Sequence, residues 1–331
     1  MIHQGLRSKM ARNAASLYLI QFANYIVPLL MVPYLVRVLG PTGYGTVAFA
    51  QGFINYLMLF VEYGFNWSAT RKISVMRKYH ETVNRTALYV WGAKGMLSLI
   101  SFIILVFLMG VVPKLQEVSS FLLAFYGLVL GNVLFPTWLF QGMERMVAIS
   151  LINLGMKLSI LAGVFLLVHS PEQALVYAAL VGGGSVVAGL VGMVVAVRMF
   201  HLRLMGVSWQ GIWEILREGW VLFLSKASVS LYTAGNAFIL GLLTSHTVVG
   251  YYSAAEKIVR ALVALLEPVS QSVYPAMAKK ALESKERTLY WARFGLYYQS
   301  FIGMIMSIFL FVFAARWYRL FLALNISLPF P

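Results

Sequence analysis

Cysteine and aspartate are both missing from the 331 residues, and only 11% of the chain is charged. Without cysteine there is no disulfide framework, no thiolate metal site and no cysteine nucleophile. Without aspartate, its eleven acids all being Glu, the chain lacks the Asp-based catalytic and Mg²⁺ motifs. No Gly-x-x-x-x-Gly-Lys-Ser/Thr stretch occurs, so no ATPase site is expected. The shortage of charge is the most informative absence. A soluble domain carries about 25% charged residues, and a chain with this little polar surface has a bilayer as its solvent. What the chain has instead is 60% hydrophobic residues and a mean hydropathy of +0.79. No cofactor or metal is implied.

A membrane-spanning helix needs about 20 mainly apolar residues. Such segments are read at 14–37, 44–66, 87–112, 119–140, 146–169, 173–199, 219–243, 248–277 and 290–314, which makes about nine. Short turns with Gly, Pro, Ser or His separate them, among them "LGPTGYG" (39–45) and "HSPEQ" (169–173). The first segment is too long for a signal peptide and lacks a small-residue cleavage site, so it is read as retained. The fold class expected is therefore an all-α polytopic membrane protein.

The net charge of +15 reads as topology rather than as nucleic-acid binding. Loops on one side hold 17 Lys and Arg, those on the other hold 4. The positive-inside rule then puts the N-terminus in the cytoplasm. The longest connection contains "VSWQGIWEILREG", whose Trp209, Ile212, Trp213 and Leu216 share a helical face and suit an interfacial helix. The domains expected are a six-helix lobe at 1–200, a linker helix at 201–218 and a partial lobe of three helices with an irregular tail at 219–331. "GYGTVA" (43–48) and "GYYSAA" (250–255) match at three of six positions, offset by 207. Glu62 and Glu267 recur at nearly that offset, which points to a parallel repeat.

Six charges lie deep in apolar segments: Lys94, Lys157, Lys226, Lys257, Arg260 and one acid, Glu256. An intramembrane charge usually faces a partner or a pathway. Glu256 and Arg260 are four apart and can pair; Lys226 is shallow enough to snorkel. Five cations against one acid leave a surplus that an anionic ligand would satisfy. Gln21, Asn24, Tyr232 and Asn236 can hydrogen-bond a sugar or, equally well, a neighbouring helix. Glu256 is the candidate coupling acid, although Arg260 favours its charged form. Ala178/Gly182 and Ser185/Gly189 are small-residue pairs for close helix approach. Pro28, Pro33, Pro136, Pro268 and Pro275 are candidate kinks.

Together, "VPYLVRVLGPTGYG" (32–45), "YGFNWSATRKIS" (63–74), "PTWLFQGMERM" (136–146), Lys157, "VGYYSAAEKIVRA" (249–261) and "YPAMAKK" (274–280) resemble the polysaccharide flippases of the multidrug/oligosaccharidyl-lipid/polysaccharide exporter superfamily, the O-antigen transporters in particular. The resemblance runs over about residues 10–314. It implies two six-helix lobes related by a pseudo-two-fold axis around a central cavity. It also implies gradient-driven flipping of a polyprenyl-diphosphate-linked oligosaccharide across the bacterial inner membrane, amid membrane lipids and other polysaccharide-assembly membrane proteins. Lys94, Lys157, Lys226 and Arg260 would then be cations of the substrate cavity, with Lys94, Lys157 and Arg260 on the diphosphate. Three spans after the linker instead of six resemble a C-terminally truncated relative, for which weak activity is expected. A multidrug-type exporter is the alternative, although a cation-rich cavity would repel cationic drugs. A membrane polymerase or glycosyltransferase is a further alternative, disfavoured because the loops offer few catalytic acids or histidines.

Overall fold

The computed structural model describes residues 2–203, 206–233, 235–264, 293, 297, 300–308 and 311–312, with side chains from Val27 onward except at 29, 231–233, 262 and 264. Among these residues all regular structure is helical. The order is α1 (Ile2–Glu62), α2 (Phe65–Met76), α3 (His80–Val111), α4 (Pro113–Glu117), α5 (Ser119–Leu134), α6 (Thr137–Gly142), α7 (Met146–Leu167), α8 (Ala174–Met199), α9 (Trp209–Thr233), α10 (Asn236–Leu243) and α11 (His246–Ala264). The chain forms two compact units. One comprises Met1–Asn24 and Val38–Tyr251, the other Tyr25–Arg37 and the chain from Tyr252 on.

Five described stretches are long and apolar enough to cross a membrane: Leu30–Met76, His80–Val111, Ser119–Gly142, Met146–Leu167 and Pro171–Met199. Their outward faces are apolar. On α3, Leu99, Ile103 and Phe107 recur every fourth residue and stay 60–65% exposed, as a lipid-facing stripe requires. The protein is an all-α, multi-pass membrane protein.

Local chemistry explains where the helices break. The first two expected spans form the single element α1, jointed at Gly40 with φ 69° and ψ 170°. Glycine tolerates positive φ, and the residue before Pro41 is disfavoured in the helical region. Pro28 and Pro33 cause no such departure, since Gly40 alone is non-helical inside α1. At the other end of α1, Tyr63 and Gly64 both take positive φ and turn the chain into α2. Pro136 separates α5 from α6. Pro268 and Pro275 lie outside the described residues, as do 265–277 of the span expected at 248–277 and parts of the one expected at 290–314. The interfacial helix expected before 219 begins at Trp209 but continues unbroken to Thr233. Gly219 does not stop it, because it packs against Tyr63, 3.2 Å from an added Cβ.

Glycines decide two close approaches. Along α5 and α8, a Cβ on Gly182 would stand 2.0 Å from the Ala124 carbonyl oxygen, and one on Gly189 would stand 2.8 Å from that of Gly131. The small-residue pairs expected on α8 thus face Gly127 and Gly131 of α5, backbone against backbone. The second approach joins the stretch after Gly40 to the start of α11. A Cβ on Gly45 would stand 1.6 Å from the His246 carbonyl oxygen, and one on Gly250 would stand 2.0 Å from that of Pro41. Thr42 and Thr247 hydrogen-bond across the same crossing at 2.9 Å. These contacts are reciprocal, so the crossing is locally two-fold. The threonines at its centre are 205 apart, the spacing of Glu62 and Glu267, rather than the 207 read from "GYGTVA" and "GYYSAA". Lys114 braces the neighbouring helix end, its ammonium donating to the Gly241 and Thr244 carbonyls at 2.8 Å each. A cation there also complements the negative end of the α10 dipole.

A polar interior in an apolar bundle

Within the larger unit, polar groups gather inside apolar helices, and Pro136 creates the first of them. A helical residue at that position would donate its N–H to the carbonyl four residues back, but proline has none. The orphaned Asn132 carbonyl instead accepts from the Lys94 ammonium of α3 at 2.7 Å. Lys94 is only 1% exposed, so the lysine is drawn fully inside by a carbonyl that proline left unpaired. Phe135, whose own N–H still reaches Gly131 at 2.9 Å, keeps the rest of α5 intact.

The second group is an ion pair. Glu62, the last residue of α1, pairs through Oε2 with Lys226 of α9. Its other oxygen, Oε1, is buried with no hydrogen-bond partner among the described residues. Lys94 feels the charges of both. Sequence reading counted Glu256 as the one deep acid; Glu62 is a further acid that the structure buries. Glu62 is 7% exposed, at the Tyr63–Gly64 turn where α9 packs, with Lys226 on the carboxylate and Leu222 and Phe223 against Gly64. Lys226, its side chain 36% exposed, meets this carboxylate.

A cavity of about 140 Å³ opens beside Lys94, with Asn66, Asn132, Thr137, Asn153 and Ser185 in its wall. These residues come from α2, α3, α5, α6, α7 and α8. Of these five amide and hydroxyl positions only Ser185 was singled out from sequence, and for helix packing rather than for a site. The available signal was an Asn four residues before a Pro inside an apolar run, which marks a spare carbonyl and a spare amide together.

The other expected site residues fall elsewhere. Lys157, half-buried on α7, follows Met156 and lies one turn after Asn153. Both of those line the cavity, whereas Lys157 does not. Among the described residues no hydrogen bond or ion pair engages it. Glu256 and Arg260 belong to the second unit and form the expected pair, at 2.7 Å. Asn236 opens α10 and is half-buried. The side chains of Gln21, Asn24 and Tyr232 lie outside the described residues. Ion pairs also tie the outer turns: Lys72 bridges Glu214 at 3.2 Å and Glu218 at 2.8 Å, and Arg77 meets Glu144 at 2.8 Å.

A helical membrane protein with a buried cation and a polar cavity inside a lipid-facing bundle fits a carrier of polar, negatively charged cargo. Comparison with known sequences defines its kind. Residues 10–281 match the family described as "Polysaccharide biosynthesis protein", and the chain belongs to that family. A protein of Escherichia coli (strain K12) named "Putative O-antigen transporter" is 31% identical over 304 residues, 92% of this chain and 73% of that protein. A protein of the same name from Shigella dysenteriae is 30% identical over 270 residues, 82% of this chain and 68% of its own. Both relatives are named as transporters, which supports a transport role rather than an enzymatic one. No solved structure matches significantly.

Proposed function

We propose that this protein translocates a lipid-diphosphate-linked O-antigen or related polysaccharide repeat unit from the cytoplasmic to the periplasmic leaflet of the bacterial inner membrane. The family and its transporter relatives support the cargo class. The observation that carries the reading is Lys157, a half-buried ammonium in an apolar span with no hydrogen bond or ion pair among the described residues. Positive charge kept in that way leaves a field for an anion to neutralise. Lys157, with no ion pair among the described residues, is the side chain we assign to the diphosphate. Arg260, in the second unit, is held by Glu256. The absence of a phosphate-binding loop leaves an ion gradient as the drive, and Glu256 the candidate for coupling to it.

Binding in lipid nanodiscs tests this. The protein is expected to bind a polyprenyl diphosphate at least tenfold more tightly than the uncharged polyprenol. Lys157→Ala should lose about tenfold, or roughly 1.4 kcal/mol, while Lys157→Arg keeps most of the affinity because the charge survives. Equal affinity for the two lipids in the wild type overturns the reading.

The N-terminus is assigned to the cytoplasm from the Lys and Arg asymmetry. Reporter fusions after Lys78 and Glu172 are expected to give a cytoplasmic signal at the first and alkaline phosphatase activity at the second. The reverse pattern would invert the topology.

A further inference from the structure

We infer that the cavity beside Lys94 is a subsite for a single sugar ring, the one next to the diphosphate of the lipid-linked cargo. The inference rests on the flippase reading and moves Lys94 from the diphosphate to the glycan. Size is the first argument. At about 140 Å³ the cavity is close to the roughly 150 Å³ that holds benzene, enough for the ring of one sugar with its outer substituents projecting through the opening.

Chemistry is the second argument, and it separates sugar from phosphate. The side-chain oxygens of Asn132 and Asn153 are buried with no hydrogen-bond partner among the described residues, although both residues line the cavity. A buried acceptor left unmade is costly, and a small turn of either amide would let it accept from an occupant that brings donors. A phosphate ester at neutral pH brings only acceptors and could satisfy neither oxygen. A pyranose brings hydroxyls, each both donor and acceptor. They can give to Asn132 and Asn153 and take from the ammonium protons of Lys94 that the Asn132 carbonyl does not use. Thr137 and Ser185 add hydroxyls to the same wall. The outer faces of this bundle meet lipid, which has no donors to offer. The occupant must therefore come with the cargo or as trapped water.

The test compares, in nanodiscs, a polyprenyl diphosphate bearing one hexose or N-acetylhexosamine with the same lipid lacking sugar. The wild type is expected to bind the glycosylated lipid about tenfold more tightly. Asn153→Leu and Thr137→Val should each shrink that preference at least threefold while leaving affinity for the bare diphosphate unchanged. If the wild type binds both lipids equally, water alone fills the cavity and the subsite is wrong, whatever the variants do. A preference retained in full by both variants also overturns it. Binding of neither lipid sinks the flippase reading together with this inference. Only the first two results leave that reading standing.

Discussion

Glu62→Ala is expected to strip the protein from the membrane, and the double variant Glu62→Ala/Lys226→Met to restore it. Removing one member of a buried ion pair costs about 3–5 kcal/mol, because the remaining charge is left uncompensated. The Lys226 side chain is 36% exposed and that of Glu62 is 9%, so we place the single variant near the low end, at about 3 kcal/mol. Replacing both members by apolar side chains of similar size is often neutral. Here Lys94, which also feels Glu62, should keep the double variant slightly below wild type. Protein level in isolated membranes and thermal unfolding in detergent read the effect. A single variant at wild-type level, or a double variant no better than the single one, would show that the pair does not hold α1 to α9.

The second large effect is a contrast between neighbours. Gly182→Ala is expected to destabilise α5–α8 packing by about 1–3 kcal/mol, the usual range for overpacking. Gly183→Ala is expected to be neutral or stabilising by up to about 1 kcal/mol, the propensity difference between the two residues in a helix. A Cβ at Gly182 would lie 2.0 Å from a backbone oxygen, which cannot rotate away, whereas at Gly183 nothing stands within 4 Å. Unfolding midpoints of the two purified variants, measured side by side, decide the matter. Equal effects of the two substitutions would mean that α5 and α8 do not approach as closely as described.

Much of the fold was legible without coordinates. Low charge and long apolar runs identify the bilayer as solvent, because backbone and side-chain polarity must then be satisfied internally. Four expected spans, at 87–112, 119–140, 146–169 and 173–199, coincide with α3, with α5 and α6 together, and with α7 and α8. The Gly40–Pro41 joint and the Pro136 break follow from steric rules that act between adjacent residues. The Glu256–Arg260 pair follows from helical spacing alone. All of these are local properties, set by composition or by residues within one or two turns.

What tertiary structure decided are the choices among distant partners. Sequence reading saw Lys94, Lys157 and Lys226 as one class of deep cation. The structure gives each a different environment: a proline-orphaned carbonyl for Lys94, a carboxylate on another helix for Lys226, and no described partner for Lys157. It likewise separates Gly182 from Gly183 in a run of identical residues, and sets the pairing of Thr42 with Thr247 at 205 rather than 207. Hydropathy counts how much apolar surface a segment carries, but not which neighbour covers it. Glu62 lies near the end of its apolar segment in the sequence, and it is a buried acid because α9 packs at that end. Partner choice depends on where helices far apart in the chain cross, and a one-residue rotation at such a crossing changes every contact without altering the apolar pattern that placed the helices in the membrane.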